Sequence, residues 1–138
     1  MTSTIKFETF TKALQSLEAI YLKPMNADRS NVDATIQRFE FTIELAWKWL
    51  KDYFLEHDIV LHYPKEVLQE AYRVQLIDHE MVWLSMLKDR NLTSHTYDET
   101  LADAIYHRIK EYVPVLRQLA NKGVMISKSQ GDSNSLNH

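Results

Sequence analysis

Arg90-Asn91-Leu92-Thr93-Ser94-His95-Thr96-Tyr97 places a fixed cation, an amide, aliphatic hydroxyls, an imidazole and a phenol within eight consecutive residues, a density found nowhere else in the sequence. Arginine presents a planar, permanent set of donors that suits a phosphate. Histidine can take up or give a proton near neutral pH. Together they make a minimal kit for cleaving RNA without a metal or other cofactor. His95 would act as base for the 2′-hydroxyl or as acid for the leaving oxygen. Arg90 would hold the scissile phosphate, and Asn91 would orient either group. The opposing reading is structural: Arg90 paired with Asp89, Asp98 or Glu99, and His95 a hydrogen-bonded joint residue.

The whole chain limits what such a site can be. At 138 residues it is long enough for one domain with a real core. It has no cysteine, which removes disulfides and thiolate metal sites and fits a reducing cytoplasm. No apolar run is long enough to span a membrane, and Met1 to Lys6 lacks the look of a secretory leader. The net charge of −3 argues against a general nucleic-acid coat, so any RNA contact is expected to be local and salt-sensitive. Two glycines and three prolines predict long helices with short joints, and are too few glycines for a phosphate-cradling loop.

The elements that must carry the motif follow from periodicity. Phe7, Phe10, Leu14, Leu17 and Tyr21 make one helical stripe, stopped by Lys23-Pro24. A polar joint over Asn26–Ser30 follows, with Ser30 and Asp33 as a capping box. The second helix is expected from about Asn31 to His57, with Ile36, Phe39, Ile43, Ala46, Leu50 and Tyr53 on one face. Phe41, Leu45, Trp47 and Trp49 add apolar surface elsewhere around it, which suggests burial both in the bundle and against a partner. Pro64 opens a third helix running through Ile77. Asp78 is expected to cap a fourth, with Met81, Val82, Leu84, Met86 and Leu87 apolar and Trp83 on another face. A fifth runs from about Asp98 to Ala120, interrupted by Pro114. Residues 1–122 thus read as one up-and-down bundle of four or five helices, all-α, and 123–138 as a disordered tail.

Two placements of the motif are open. In one regular helix, Arg90 and His95 would stand about 140° apart on a broad face. Alternatively the chain leaves the helix before His95, and Thr96 with Glu99 caps the next one. His95 would then precede a helix N-terminus whose potential keeps it neutral. The second placement is preferred. Elsewhere, His57 and His62 with Glu56 and Asp58 lack the spacing of a helical zinc pair, so no metal site is expected. Trp47, Trp49 and Trp83 could stack bases, but tryptophan in apolar helices is more often core or interface. Met81 and Met86 read as packing, and Glu40 with Glu44 as a solvated edge.

The spacing Arg, four residues, His, one residue, Tyr resembles the signature of the HEPN superfamily of small helical proteins, many of them ribonuclease toxins. With Arg38-Phe39-Glu40-Phe41 and Leu45-Ala46-Trp47-Lys48-Trp49-Leu50, the chain is similar over roughly residues 5–120 to one branch, the nucleotidyltransferase substrate-binding protein family with its HepT-like toxins. The resemblance implies a dimerising HEPN-like bundle and a homodimer with Arg90 and His95 as catalytic residues. It also implies a partner, a small MNT-type nucleotidyltransferase that adds AMP to Tyr97 and silences the toxin of a toxin–antitoxin pair. The branch name implies an alternative, a non-catalytic subunit that presents substrate to that enzyme.

Overall fold

A computed structural model describes residues 2–24 and 29–136, with side chains for 3–24 and 29–129. The described residues form five α-helices and no strand: α1 Thr2–Tyr21, α2 Ser30–Glu56, α3 Pro64–Arg73, α4 Glu80–Leu92 and α5 Glu99–Leu136, with a 3-10 turn at Thr93–His95. The bundle expected from the periodicity is therefore present. Helix α2 is its axis and touches every other element. Helices α1 and α5 pack on one another and on α2, while α3 and α4 close the remaining side.

The core is the meeting of the anticipated stripes. Phe10, Leu14 and Leu17 of α1 lie fully buried with Phe39, Ile43, Ala46 and Leu50 of α2 and Ile105, Ile109 and Leu116 of α5. The second apolar side of α2 divides between two destinations. Trp49 belongs to the core of this chain, with its ring stacked 6.0 Å from that of Phe10 and tilted against that of Phe7 at 4.8 Å. Phe41 stays outside, 53% exposed. On α4 the expected face is corrected: Trp83, Met86 and Asp89 point inward, and Met81 is 77% exposed. The buried set recurs every third residue, which outweighs the more numerous apolar residues around it.

The helix ends depart from several of the local signals. The joint expected at Asn26–Ser30 falls mostly on residues 25–28, outside the described residues. Ser30 is already helical, and the N-cap position is Arg29 at φ 62. Helix α2 ends with Asp58 in the left-handed region (φ 63) and the Ile59 N–H on the Phe54 carbonyl at 2.9 Å. Helix α3 stops at Arg73, short of Ile77, in the same way: Gln75 has φ 67 and the Leu76 N–H reaches the Ala71 carbonyl at 2.8 Å. Both are Schellman-type stops made without glycine. Asp78 does not cap α4, whose N-cap is His79; it faces Lys122 at 3.4 Å. Pro114 lies inside α5 on an exposed position and does not end it.

The spacing predicts an end to α5 near Ala120, but the helix runs on to Leu136. Gly123 is buried there, and a Cβ on it would sit 2.2 Å from Phe7 Cε1. A mid-helix glycine costs only about 1 kcal/mol against alanine, and here it admits the Phe7 ring, which packs on Trp49.

One buried polar cluster fixes α4 against α5. Asp89 is 2% exposed. Arg108 grips it with two bonds of 2.7 Å, and the Tyr112 hydroxyl donates to it at 2.5 Å. With its own proton committed to Asp89, the Tyr112 oxygen accepts one from Ser85 Oγ at 2.7 Å. Burial, and then the bond to Asp89, push the Tyr112 phenol from 10.0 up to about 12.

Two consequences can be measured. The unfolded phenol loses its proton near pH 10 and the folded one near 12, so this contribution to stability is whole below pH 10 and lost as pH rises through 12. Tyr112→Phe is expected to flatten the fall in the urea midpoint across that interval. Gly123→Ala is expected to destabilise the chain by about 1–3 kcal/mol through overpacking, although alanine is the better helix former. Removing the ring in Phe7→Ala should cancel most of that increment in a double-mutant cycle of urea denaturation curves.

Candidate functional site

Because Asp89 is turned inward, the next side chain on α4 is rotated by about 100°, and Arg90 comes out against α2. Its Nε lies 2.5 Å from Glu44 Oε1, an ion pair in which the N–H is not aimed at the oxygen, so that Nε has no hydrogen-bond partner. The contact is one of charge attraction and not a hydrogen bond. Arg90 Nη1 reaches Asn91 Oδ1 at 3.5 Å. Glu44 also accepts from the Trp47 indole N–H at 3.2 Å and stands 3.5 Å from Lys48. The expected solvated edge is thus corrected for Glu44: it is the anchor of a small cluster. Arg90 and Asn91 line an open groove of about 310 Å³ together with Trp47, Tyr63, Lys65 and Leu87.

The second half of the motif leaves the helix, as the preferred placement has it. After Leu92 the chain tightens into the 3-10 turn that ends at His95. The hydroxyls are engaged by backbone: Thr93 Oγ1 donates to the Arg90 carbonyl at 2.7 Å, and Thr96 Oγ1 to the Thr93 carbonyl at 2.9 Å. The cap of α5 is corrected from Thr96 to Asp98, whose carboxylate accepts the Thr100 N–H at 3.0 Å and the Leu101 N–H at 3.4 Å. The Asp98 side chain, at the position next to the helix, outcompetes Thr96 for those donors. His95 is exposed, and Tyr97 is 84% exposed, with their rings edge-to-face at 6.2 Å. So Arg90 and Asn91 share the groove, while His95 and Tyr97 stand on the adjoining turn and do not line it.

The carboxylates nearest Arg90 in sequence all go elsewhere. Asp89 holds Arg108, Asp98 caps α5, and Glu99 stands 3.7 Å from Arg29. Glu44, Trp47 and Lys65 are not marked as neighbours of Arg90 by the sequence, which carries no signal for the pairing of α2 with α4. The other candidates take separate roles. His57 Nδ1 is 2.8 Å from the Tyr53 carbonyl and its ring packs 4.5 Å from that of Tyr53, while Glu56 accepts from Ser3 Oγ at 2.7 Å. Trp49 and Trp83 are core, whereas Trp47 is half-buried. Among the described residues no helix is long and apolar enough to cross a membrane.

With this geometry in view, the chain can be set beside known proteins. It is 34% identical over 97 residues to a protein of Haemophilus influenzae named "Probable ribonuclease HepT", covering 67% of this chain and 66% of that relative's length. A crystal structure from Thermus thermophilus superposes with a TM-score of 0.76 at 36% identity, covering 82% of this chain and 97% of the other. A Haemophilus influenzae structure, described as the fold of a substrate binding domain of a nucleotidyltransferase, superposes with a TM-score of 0.63 at 27% identity, covering 88% and 96%. The family described as nucleotidyltransferase substrate binding protein like matches residues 5–124, which takes in α2, α3 and α4 whole, most of α1, α5 as far as Val124 and all of the Arg90–Tyr97 segment, and the chain belongs to that family.

Proposed function

We propose that this protein is a metal-independent endoribonuclease, the toxin half of a two-gene pair whose other member is a small nucleotidyltransferase. One observation carries the reading. The Arg90 guanidinium, 36% exposed, stands with Asn91 on the wall of an open groove, and an exposed His95 follows on the turn that the same helix leads into. A guanidinium in that position can meet a phosphodiester, and an exposed imidazole can work on the 2′-hydroxyl or the leaving oxygen. Because His95 lies off the groove within one chain, a second copy is the economical source of an imidazole facing Arg90, hence a homodimer. The exposed apolar surface around Phe41 and Leu45 on α2 is consistent with such pairing. The name of the Haemophilus influenzae relative supports the same chemistry.

Tyr97 is the acceptor through which the partner would silence the toxin. Its hydroxyl-bearing ring is 84% exposed and 6.2 Å from the His95 ring. An added AMP brings negative charge and bulk beside the base, where the RNA phosphate would have to approach. The working place is a cytoplasm holding RNA, ATP and the partner.

A second reading, a non-catalytic subunit presenting substrate to the nucleotidyltransferase, is favoured by the Arg90–Glu44 contact, which occupies the guanidinium in the free protein. The description of the Haemophilus influenzae structure as a substrate binding domain supports it too.

The two are separated by incubating the purified protein with RNA in excess EDTA. The nuclease reading expects cleavage that falls about 10²–10⁴-fold in His95→Ala and comparably in Arg90→Ala. No cleavage by the unaltered chain, with tight binding to the nucleotidyltransferase, would support the adaptor. For silencing, the expected outcome is that Tyr97→Phe still cuts RNA but gains no AMP mass from the partner and ATP. Label transfer to Tyr97→Phe would place the modification elsewhere.

A further inference from the structure

The groove beside Arg90 has an aromatic wall that the proposed chemistry does not use. Of the three tryptophans, Trp49 and Trp83 are 4% and 1% exposed, while Trp47 remains half-buried at the groove. Its indole N–H is tied to Glu44 Oε1, the same oxygen that holds Arg90. One carboxylate therefore sets both the orientation of an aromatic plane and its distance from a guanidinium. Tyr63, 68% exposed, lines the same groove from the α2–α3 connection, beside Lys65. Leu87 and Pro64 supply apolar lining. Two cations against one carboxylate leave the lining net positive, within a chain whose net charge is −3. The volume, about 310 Å³, is at the small end of ligand pockets.

We propose that this groove is a nucleobase subsite of the site described above, so that it rests on the ribonuclease reading for the identity of the phosphate. Trp47 and Tyr63 take the base of the nucleotide next to the scissile phosphate, Arg90 and Lys65 meet its phosphates, and the Asn91 amide meets the base edge. Every base has a π-face, so stacking of this kind tolerates any sequence. It does require an unpaired base, and the substrate class is therefore single-stranded RNA or the loops of folded RNA. Glu44 is here a positioning residue, which holds the indole and the guanidinium in register and touches no substrate.

The test is binding of a labelled oligodeoxyuridylate, which lacks the 2′-hydroxyl and so is held without being cut, followed by anisotropy at low salt. Trp47→Leu and Tyr63→Ser are each expected to weaken binding by about 10-fold, and Trp47→Phe by much less. Tyr63 is exposed enough that its substitution leaves the fold intact even if Trp47→Leu does not fold. Abasic nucleotides in the probe should weaken the unaltered protein by a similar factor, and Tyr63→Ser by less. Full affinity in Tyr63→Ser and Trp47→Leu, an abasic penalty equal in all forms, or no binding of the probe by the unaltered protein would each overturn the subsite. The two proposals fail separately. Cleavage that depends on His95 with probe affinity indifferent to Trp47 and Tyr63 keeps the nuclease and removes the subsite. Base-dependent binding with no cleavage keeps the subsite and removes the nuclease.

Discussion

Asp89 is the constraint on which the arrangement depends. A carboxylate 2% exposed is tolerable only if its charge is met and its lone pairs are filled. Arg108 and Tyr112 of α5 do both. These bonds are directional, and so they set the rotation of α4 about its own axis as well as its distance from α5. Apolar packing alone would fix that rotation poorly, because α4 carries apolar residues nearly all round. With Asp89 inward, Arg90 has one place to go, and the contact with Glu44 follows from it.

Helix α2 then serves two ends. Its core face carries the bundle through Phe39, Ile43 and Leu50. Its other flank presents Glu44, Trp47 and Lys48 as a charged and aromatic strip. Glu44 is the pivot of that strip. Its attraction for Arg90 and Lys48 keeps long, flexible side chains in one place, but a phosphate then meets a guanidinium that already has a partner. Contact with an anion in the groove is therefore a competition against an internal carboxylate, decided by small differences in charge and solvation.

The family relation and the geometry bear on different questions. Membership fixes the fold and connects the chain to nucleotidyltransferases. The separation of His95 from the Arg90 groove is a matter of geometry: the guanidinium lines the groove, and the imidazole stands on the turn that ends the helix. Tyr97, next to that turn, is left exposed to solvent.

The helices and the core stripes were legible in the order of residues, because apolar periodicity is a local property, and the Arg90–Tyr97 segment stood out for the same reason, as a local run of reactive side chain types. Phe10, Leu14, Ile43 and Ile109 are buried as their spacing demands. The break before His95 was legible too, since helix termination depends on nearby residues. Which side chain meets which was settled only by packing. That Arg90 pairs with Glu44 and not with Asp89, that Trp49 is core while Trp47 faces a groove, and that Gly123 receives the Phe7 ring are all contacts between residues far apart in the chain. Such contacts are set by how helices rotate and cross, and a charge or an indole looks the same in the sequence whichever neighbour the fold supplies.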